Sequence, residues 1–204
     1  MKIFVIGFNK TGTSSIHELF RKLNINSVHI TVPVMEIIDK YDAFTDGRHF
    51  NFKEYYEKYP DSLFILNTRP IFKWLISRYK HGQYHNFKEC WCWPISDQKT
   101  NQWITDREMH YKNILNFFAD KPEQLLIVNI EKIGFENSII NFIKKKSINN
   151  IISKENVRHD NKIEQIEDIK KNVSNCLEKL GYNGDELLFK EGDDICINNY
   201  TTFL

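Results

Sequence analysis

No apolar run in the chain approaches the roughly 18–20 residues that a membrane span needs, so no membrane-embedded role is expected. The apolar stretch at the N-terminus, Ile3-Phe4-Val5-Ile6, is too short for a signal-peptide core and runs straight into Asn9-Lys10. Cysteine is scarce, with four in 204 residues, at positions 90, 92, 176 and 196. A disulfide framework belongs to a shorter, cysteine-denser secreted chain. Cys90 and Cys92 form a CxC pair, but no second Cys or His pair stands nearby at zinc-finger spacing. Reduced thiols, no metal and a soluble cytoplasmic protein are the expectations. Neither sign of charge dominates: 28 Lys and Arg stand against 27 Asp and Glu, a formal net charge of +1. That balance argues against a nucleic-acid partner, while leaving room for a local basic pocket. There is no internal repeat and no Pro/Gly/Ser-rich linker, so residues 1–204 read as one domain.

What the sequence does have is apolar material for a core, 41% of residues, laid out in alternating patterns. Lys2–Ile6 reads as a buried strand ending at Gly7. From Ser14 the pattern turns helical, with Ile16, Leu19, Phe20 and Leu23 on one face, and Asn24 ends it. Strands are expected over Ser27–Ile30, Tyr41–Phe44, Ser62–Asn67 and Gln124–Ile130. Helices are expected over Val34–Tyr41, Asn51–Tyr59, Ile71–Tyr79 (with Pro70 at its first position), Asp106–Phe118 and Phe135–Lys145. Strands alternating with helices imply βαβ units and a mostly parallel sheet flanked by helices. Residues 1–150 form this α/β core, and residues 151–204 add a helix over Lys162–Leu180 and a tail packed on the core. Gly82–Thr100 lacks periodicity and reads as a long loop or lid.

The most informative segment is Gly7-Phe8-Asn9-Lys10-Thr11-Gly12-Thr13-Ser14-Ser15, between a strand and a helix. A strand–glycine loop–helix unit aims backbone N–H groups and a helix N-terminus at one point, which makes an anion site. Lys10 adds a positive charge, and the hydroxyls of Thr11, Thr13, Ser14 and Ser15 add donors. Gly7 and Gly12 have Walker A spacing, but Thr13 rather than Lys follows Gly12. Asn67 and Asn129, not Asp, stand near the ends of the strong strands, so no Walker B acid is evident.

The loop resembles the phosphosulfate loop of sulfotransferases that use 3′-phosphoadenosine 5′-phosphosulfate (PAPS), with Lys10-Thr11-Gly12-Thr13-Ser14-Ser15 in matching order. A second motif agrees. Arg69 ends the strand over Ser62–Asn67, and Ser77 lies eight residues on, a little over two helical turns. A guanidinium fork and a hydroxyl suit a second phosphate. The family uses this pair for the cofactor's 3′-phosphate, and Asn156-Val157-Arg158-His159 resembles its late basic segment over the cofactor. The resemblance implies a three-layer P-loop NTPase-like α/β fold with a helical C-terminal extension. It implies a PAPS-dependent sulfotransferase acting without metal on a small-molecule or glycan acceptor. Asn9, Lys10, Thr11, Gly12, Thr13, Ser14, Ser15, Arg69, Ser77 and Arg158 would bind cofactor. Lys10 would also be catalytic.

Sulfuryl transfer also needs a base for the acceptor proton. Many family members place a His or Glu after a middle strand. Here Asp46 is the first candidate, His49 the second and His29 the third. Asp46-Gly47 is also an ordinary turn dipeptide. The aromatic stretch with Tyr84, His85, Phe87, Trp91, Trp93 and Trp103 suits either stacking on an acceptor or packing into the core. Glycan, phenol, amine and protein tyrosine remain open as acceptors. Two other readings stand beside the transferase: a catalytically inactive relative, for which Asp46 in place of His or Glu is the argument, and a P-loop kinase.

Overall fold

The computed structural model describes residues 1–29, 34–47, 50–84, 96–146 and 167–180. Its elements are β1 (Ile3–Val5), α1 (Thr13–Lys22), β2 (Ser27–His29), β3 (Ala43–Thr45), α2 (Phe52–Lys58), β4 (Leu63–Thr68), α3 (Ile71–Tyr84), α4 (Asp97–Phe118), β5 (Leu125–Asn129), α5 (Phe135–Lys146) and α6 (Glu167–Lys179). Two compact units result, with the boundary at Thr68–Arg69 and inside α4 between His110 and Tyr111.

The first unit is an α/β unit built on five parallel strands in the order β2-β3-β1-β4-β5. Side chains alternate across the sheet. Ile3, Val5, Ala43, Leu63, Ile65, Leu126 and Val128 point to one face and meet Ile16, Leu19 and Phe20 of α1 and Ile139 and Ile143 of α5. The intervening residues face the other way, and three of them are phenylalanines in register, Phe4 opposite Phe44 and Phe64. Phe4 stacks on Phe44 at 5.5 Å, on Phe64 at 5.4 Å and on Tyr55 of α2 at 4.9 Å. Phe64 in turn meets Phe118 at the end of α4, at 4.9 Å. Both faces are thus covered by helices, which is why the strands read as unbroken apolar runs.

α1 ends where Asn24 turns left-handed, at φ 56°. Asn51 caps α2 by accepting from the Glu54 N–H. The helix expected over Val34–Tyr41 is instead two turns of 3₁₀ helix, Val34–Glu36 and Ile38–Lys40. Only Val34 and Ile38 are buried there, too short a stripe to sustain an α-helix.

The second unit holds α3, the first part of α4, and α6, which packs on α3. The loop expected over Gly82–Thr100 is partly helix: α3 continues to Tyr84 and α4 begins at Asp97. Thr100, Trp103, Ile104 and Arg107 are all buried at helical spacing. Two members of that stripe are polar, and this hides its period from an apolar reading. Thr100 is satisfied inside, its hydroxyl donating to the Ser96 carbonyl at 2.8 Å and lying 2.6 Å from Tyr79 Oη. In α6 the buried stripe is Ile169, Val173, Cys176 and Leu177. The Cys176 thiol donates to Asp97 Oδ1 at 2.9 Å, and burial followed by that carboxylate pushes its pKa up. Cys90, Cys92, Cys196 and the tail beyond residue 180 lie outside the described residues.

Candidate functional site

The loop after β1 is fastened from β4, three strands on in sequence. Gly7 N–H donates to Asn67 Oδ1 at 3.1 Å. Asn67 Nδ2 donates to the Thr11 carbonyl and to Thr11 Oγ1, both at 2.8 Å. The Thr11 hydroxyl donates to the Phe8 carbonyl. Asn67 is fully buried in β4, so each of these bonds replaces water that the amide cannot reach. A Cβ on Gly7 would lie 2.1 Å from Asn67 Oδ1 and 2.3 Å from its carbonyl oxygen, so only glycine lets the loop approach β4 this closely. An amide is required at position 67 because it must accept from one residue and donate to another. A carboxylate can only accept.

The same loop makes two left-handed turns, at Lys10 with φ 65° and at Gly12 with φ 88°. Gly12 is the N-cap of α1 and no side chain caps the helix; its first turn carries no acid. The N–H groups of that turn have no intrahelical partners. Thr13 is buried, Ser15 half-buried and Ser14 exposed, while Asn9 and Lys10 are half-buried. The loop thus combines the positive end of a helix, an ammonium and hydroxyls within one turn of chain, which is chemistry for an anionic oxygen cluster.

A second polar group lies at the ends of β2 and β3. Parallel register sets His29 beside Thr45. His29 Nδ1 is 2.8 Å from Thr45 Oγ1, and His29 Nε2 is 3.2 Å from Ser14 Oγ at the start of α1. The His17 ring stacks on the His29 ring at 5.9 Å, and His17 Nδ1 is 3.0 Å from Ser27 Oγ. His17 is held below its ordinary value of 6.5, first by burial, then by the charge of His29 and that of Arg21, against an opposing pull from Glu18. Asp46 follows Thr45 in a left-handed conformation, φ 78°, ahead of Gly47. A Cβ on Gly47 would lie 2.0 Å from the Val5 carbonyl oxygen. His49 lies outside the described residues, as does Arg158.

In the second unit, Arg69 and Ser77 are both half-buried. The Arg69 carbonyl accepts from Arg107 Nη2 at 2.7 Å. Arg107 also stacks over Trp74 at 5.0 Å, and Arg78, beside Ser77, lies 5.2 Å from Trp74 and 4.1 Å from Trp103. Trp103 is therefore core and not an acceptor-stacking ring; it is 5% exposed and packs on Tyr79 at 4.8 Å. Trp103→Ala is expected to cost about 3–5 kcal/mol of stability in urea unfolding, as for large aromatic truncations in cores. A variant as stable as the parent would refute that packing role. His85, Phe87, Trp91 and Trp93, and the Tyr84 side chain, lie outside the described residues. Asn67 and Arg107 were missed by sequence reasoning. Asn67 was noted only as a missing acid, and nothing local marks Arg107 as buried.

A family model described as a sulfotransferase domain matches residues 32–150, more than half of the chain. The match includes Asp46, Asn67, Arg69, Ser77 and Arg107 and begins after the glycine loop and His29. No curated protein matches the chain. Among the described residues, no group of three or more His, Cys, Asp or Glu could hold a metal ion, and no helix is long and apolar enough to cross a membrane.

Proposed function

The chain belongs to the sulfotransferase-domain family, and from that premise we propose that it transfers a sulfuryl group from PAPS to a hydroxyl or amine. The observation that carries this reading is the glycine loop, drawn onto β4 by Asn67, with Lys10 at the uncapped N-terminus of α1. Its donors fit the phosphosulfate end of such a donor, which supplies an activated sulfuryl group on a phosphate leaving group. Lys10 and the N–H groups of the α1 first turn hold that phosphate and neutralise the charge that grows on it. Thr13 and Ser15 add hydroxyl donors. Asn67 and Asn129, neither of them an acid, stand near the ends of β4 and β5, which disfavours a Mg·ATP kinase. Arg69 and Ser77 are assigned the 3′-phosphate on the sequence resemblance.

Calorimetric titration with 3′-phosphoadenosine 5′-phosphate (PAP), AMP and Mg·ATP tests this, with EDTA present for the first two. PAP is expected to bind more tightly than AMP by on the order of 10–100-fold, as for a charge-assisted phosphate contact. Arg69→Ala is expected to erase that preference. Tighter binding of Mg·ATP would overturn the reading in favour of a kinase, and binding of none would leave an inactive relative.

A further inference from the structure

The hydrogen bonds around His29 take their direction from which ring nitrogen carries the proton. Thr45 Oγ1 carries one proton, and it goes to the Val28 carbonyl, 3.3 Å away. With the hydroxyl proton placed there, the same oxygen accepts from His29 Nδ1–H at 2.8 Å, which is the Nδ1–H tautomer. A neutral imidazole has a single N–H, so His29 Nε2 carries a lone pair. That lone pair accepts from the Ser14 hydroxyl at 3.2 Å. In this tautomer the chain runs one way, from Ser14 through His29 and Thr45 to a β2 carbonyl. Its head is an exposed hydroxyl in the first turn of the anion-binding helix, and the Ser14 oxygen keeps its own lone pairs for an incoming donor.

We propose that His29 is the proton acceptor of the transfer, taking the acceptor's proton through Ser14 Oγ. This deepens the sulfotransferase reading and rests on it. As the acceptor oxygen or nitrogen bonds to sulfur, the bond from sulfur to the bridging phosphate oxygen breaks and its electron pair stays on the phosphate. The acceptor's proton passes to Ser14 Oγ, and Ser14's own proton passes to His29 Nε2. The imidazolium so formed still donates from Nδ1 to Thr45.

The groups around His29 favour this assignment. On α1, His17 stacks on it, with Glu18 and Arg21 acting on His17. On β3, Asp46 follows Thr45. His17 is held below its ordinary value first by burial, which disfavours a second positive charge beside His29. Of the two other candidates, His49 lies outside the described residues, and Asp46 has a structural task that explains its presence. It forms the left-handed turn into Gly47, a conformation Asp tolerates better than most residues.

Two measurements on the full chain test the proposal. In the free protein, ¹⁵N NMR of the imidazoles is expected to show neutral His29 as the Nδ1–H tautomer, and Thr45→Val to erode that preference. With PAPS and p-cresol as probe acceptor, a phenol that keeps its proton near pH 7, His29→Gln is expected to lower kcat by about 10²–10⁴-fold. It should also abolish the acid limb of the pH profile, with PAP affinity held within about threefold. Ser14→Ala and His29→Gln should be non-additive in kcat, because they interrupt one chain. An Nε2–H tautomer, or a His29→Gln variant that keeps wild-type kcat and its acid limb, overturns the proposal alone when PAP still binds. A wild type that binds PAP but releases none from PAPS also overturns it. Failure of the wild type to bind PAP overturns the parent reading, and this one with it.

Discussion

Lys10→Ala is expected to lower kcat by at least about 10²–10³-fold while PAP affinity falls far less. The reason is where charge appears. The bridging oxygen gains negative charge only as the sulfuryl group departs, so a cation aimed at it is worth more in the transition state than in the ground state. Lys10 is held at the loop by its left-handed backbone, φ 65°. Alanine carries the same Cβ and meets the same backbone preference there, so the loop should keep its path and the loss should report the ammonium. Single-turnover rates with saturating PAPS, set beside PAP calorimetry, separate the two effects. A proportionate loss of affinity with kcat unchanged would reduce Lys10 to a binding residue. Lys10→Arg should recover part of the rate, since it restores charge with a different shape.

Asn67→Asp should damage both the fold and the site. The two donor bonds to Thr11 disappear, and a carboxylate is set against the Thr11 carbonyl in a fully buried position. Losing satisfied buried partners and burying an unpaired charge together cost about 3–5 kcal/mol. The charge also sits beneath the loop proposed to hold the phosphosulfate, so PAP affinity should fall by at least about tenfold. The sign with pH follows from the burial. The introduced carboxyl has its folded pKa raised above the unfolded value, because the ionised form is the disfavoured one. Protonation therefore restores stability, and the variant should be closer to the wild type at pH 5 than at pH 7.5. Urea unfolding at the two pH values measures this. A variant as stable as wild type at pH 7.5 would show that the amide donors contribute nothing to holding the loop.

The strand–loop–helix unit was legible because each of its signals is local. An apolar run, two glycines five residues apart, a lysine and a serine-rich helix start all fall within fifteen residues. The strands over Leu63–Thr68 and Leu125–Asn129 were legible for the same reason: a strand buried on both faces writes its burial into every residue. The start of α4 was not legible, because Thr100 and Arg107 occupy buried positions of the helical stripe and meet hydrogen-bond partners far along the chain.

The sequence by itself determined the α/β class, the glycine loop between the first strand and the first helix, and the family to which the pattern points. Each depends on spacing along the chain, which backbone geometry converts directly into a shared face or a turn. Only the tertiary structure decided that Asn67 clamps the loop across 60 residues, that His29 meets both Thr45 and Ser14, and that Trp103 belongs to the core. Those contacts depend on strand order and register. Both are set by the packing of the whole sheet against its helices, and no local pattern of residues records them.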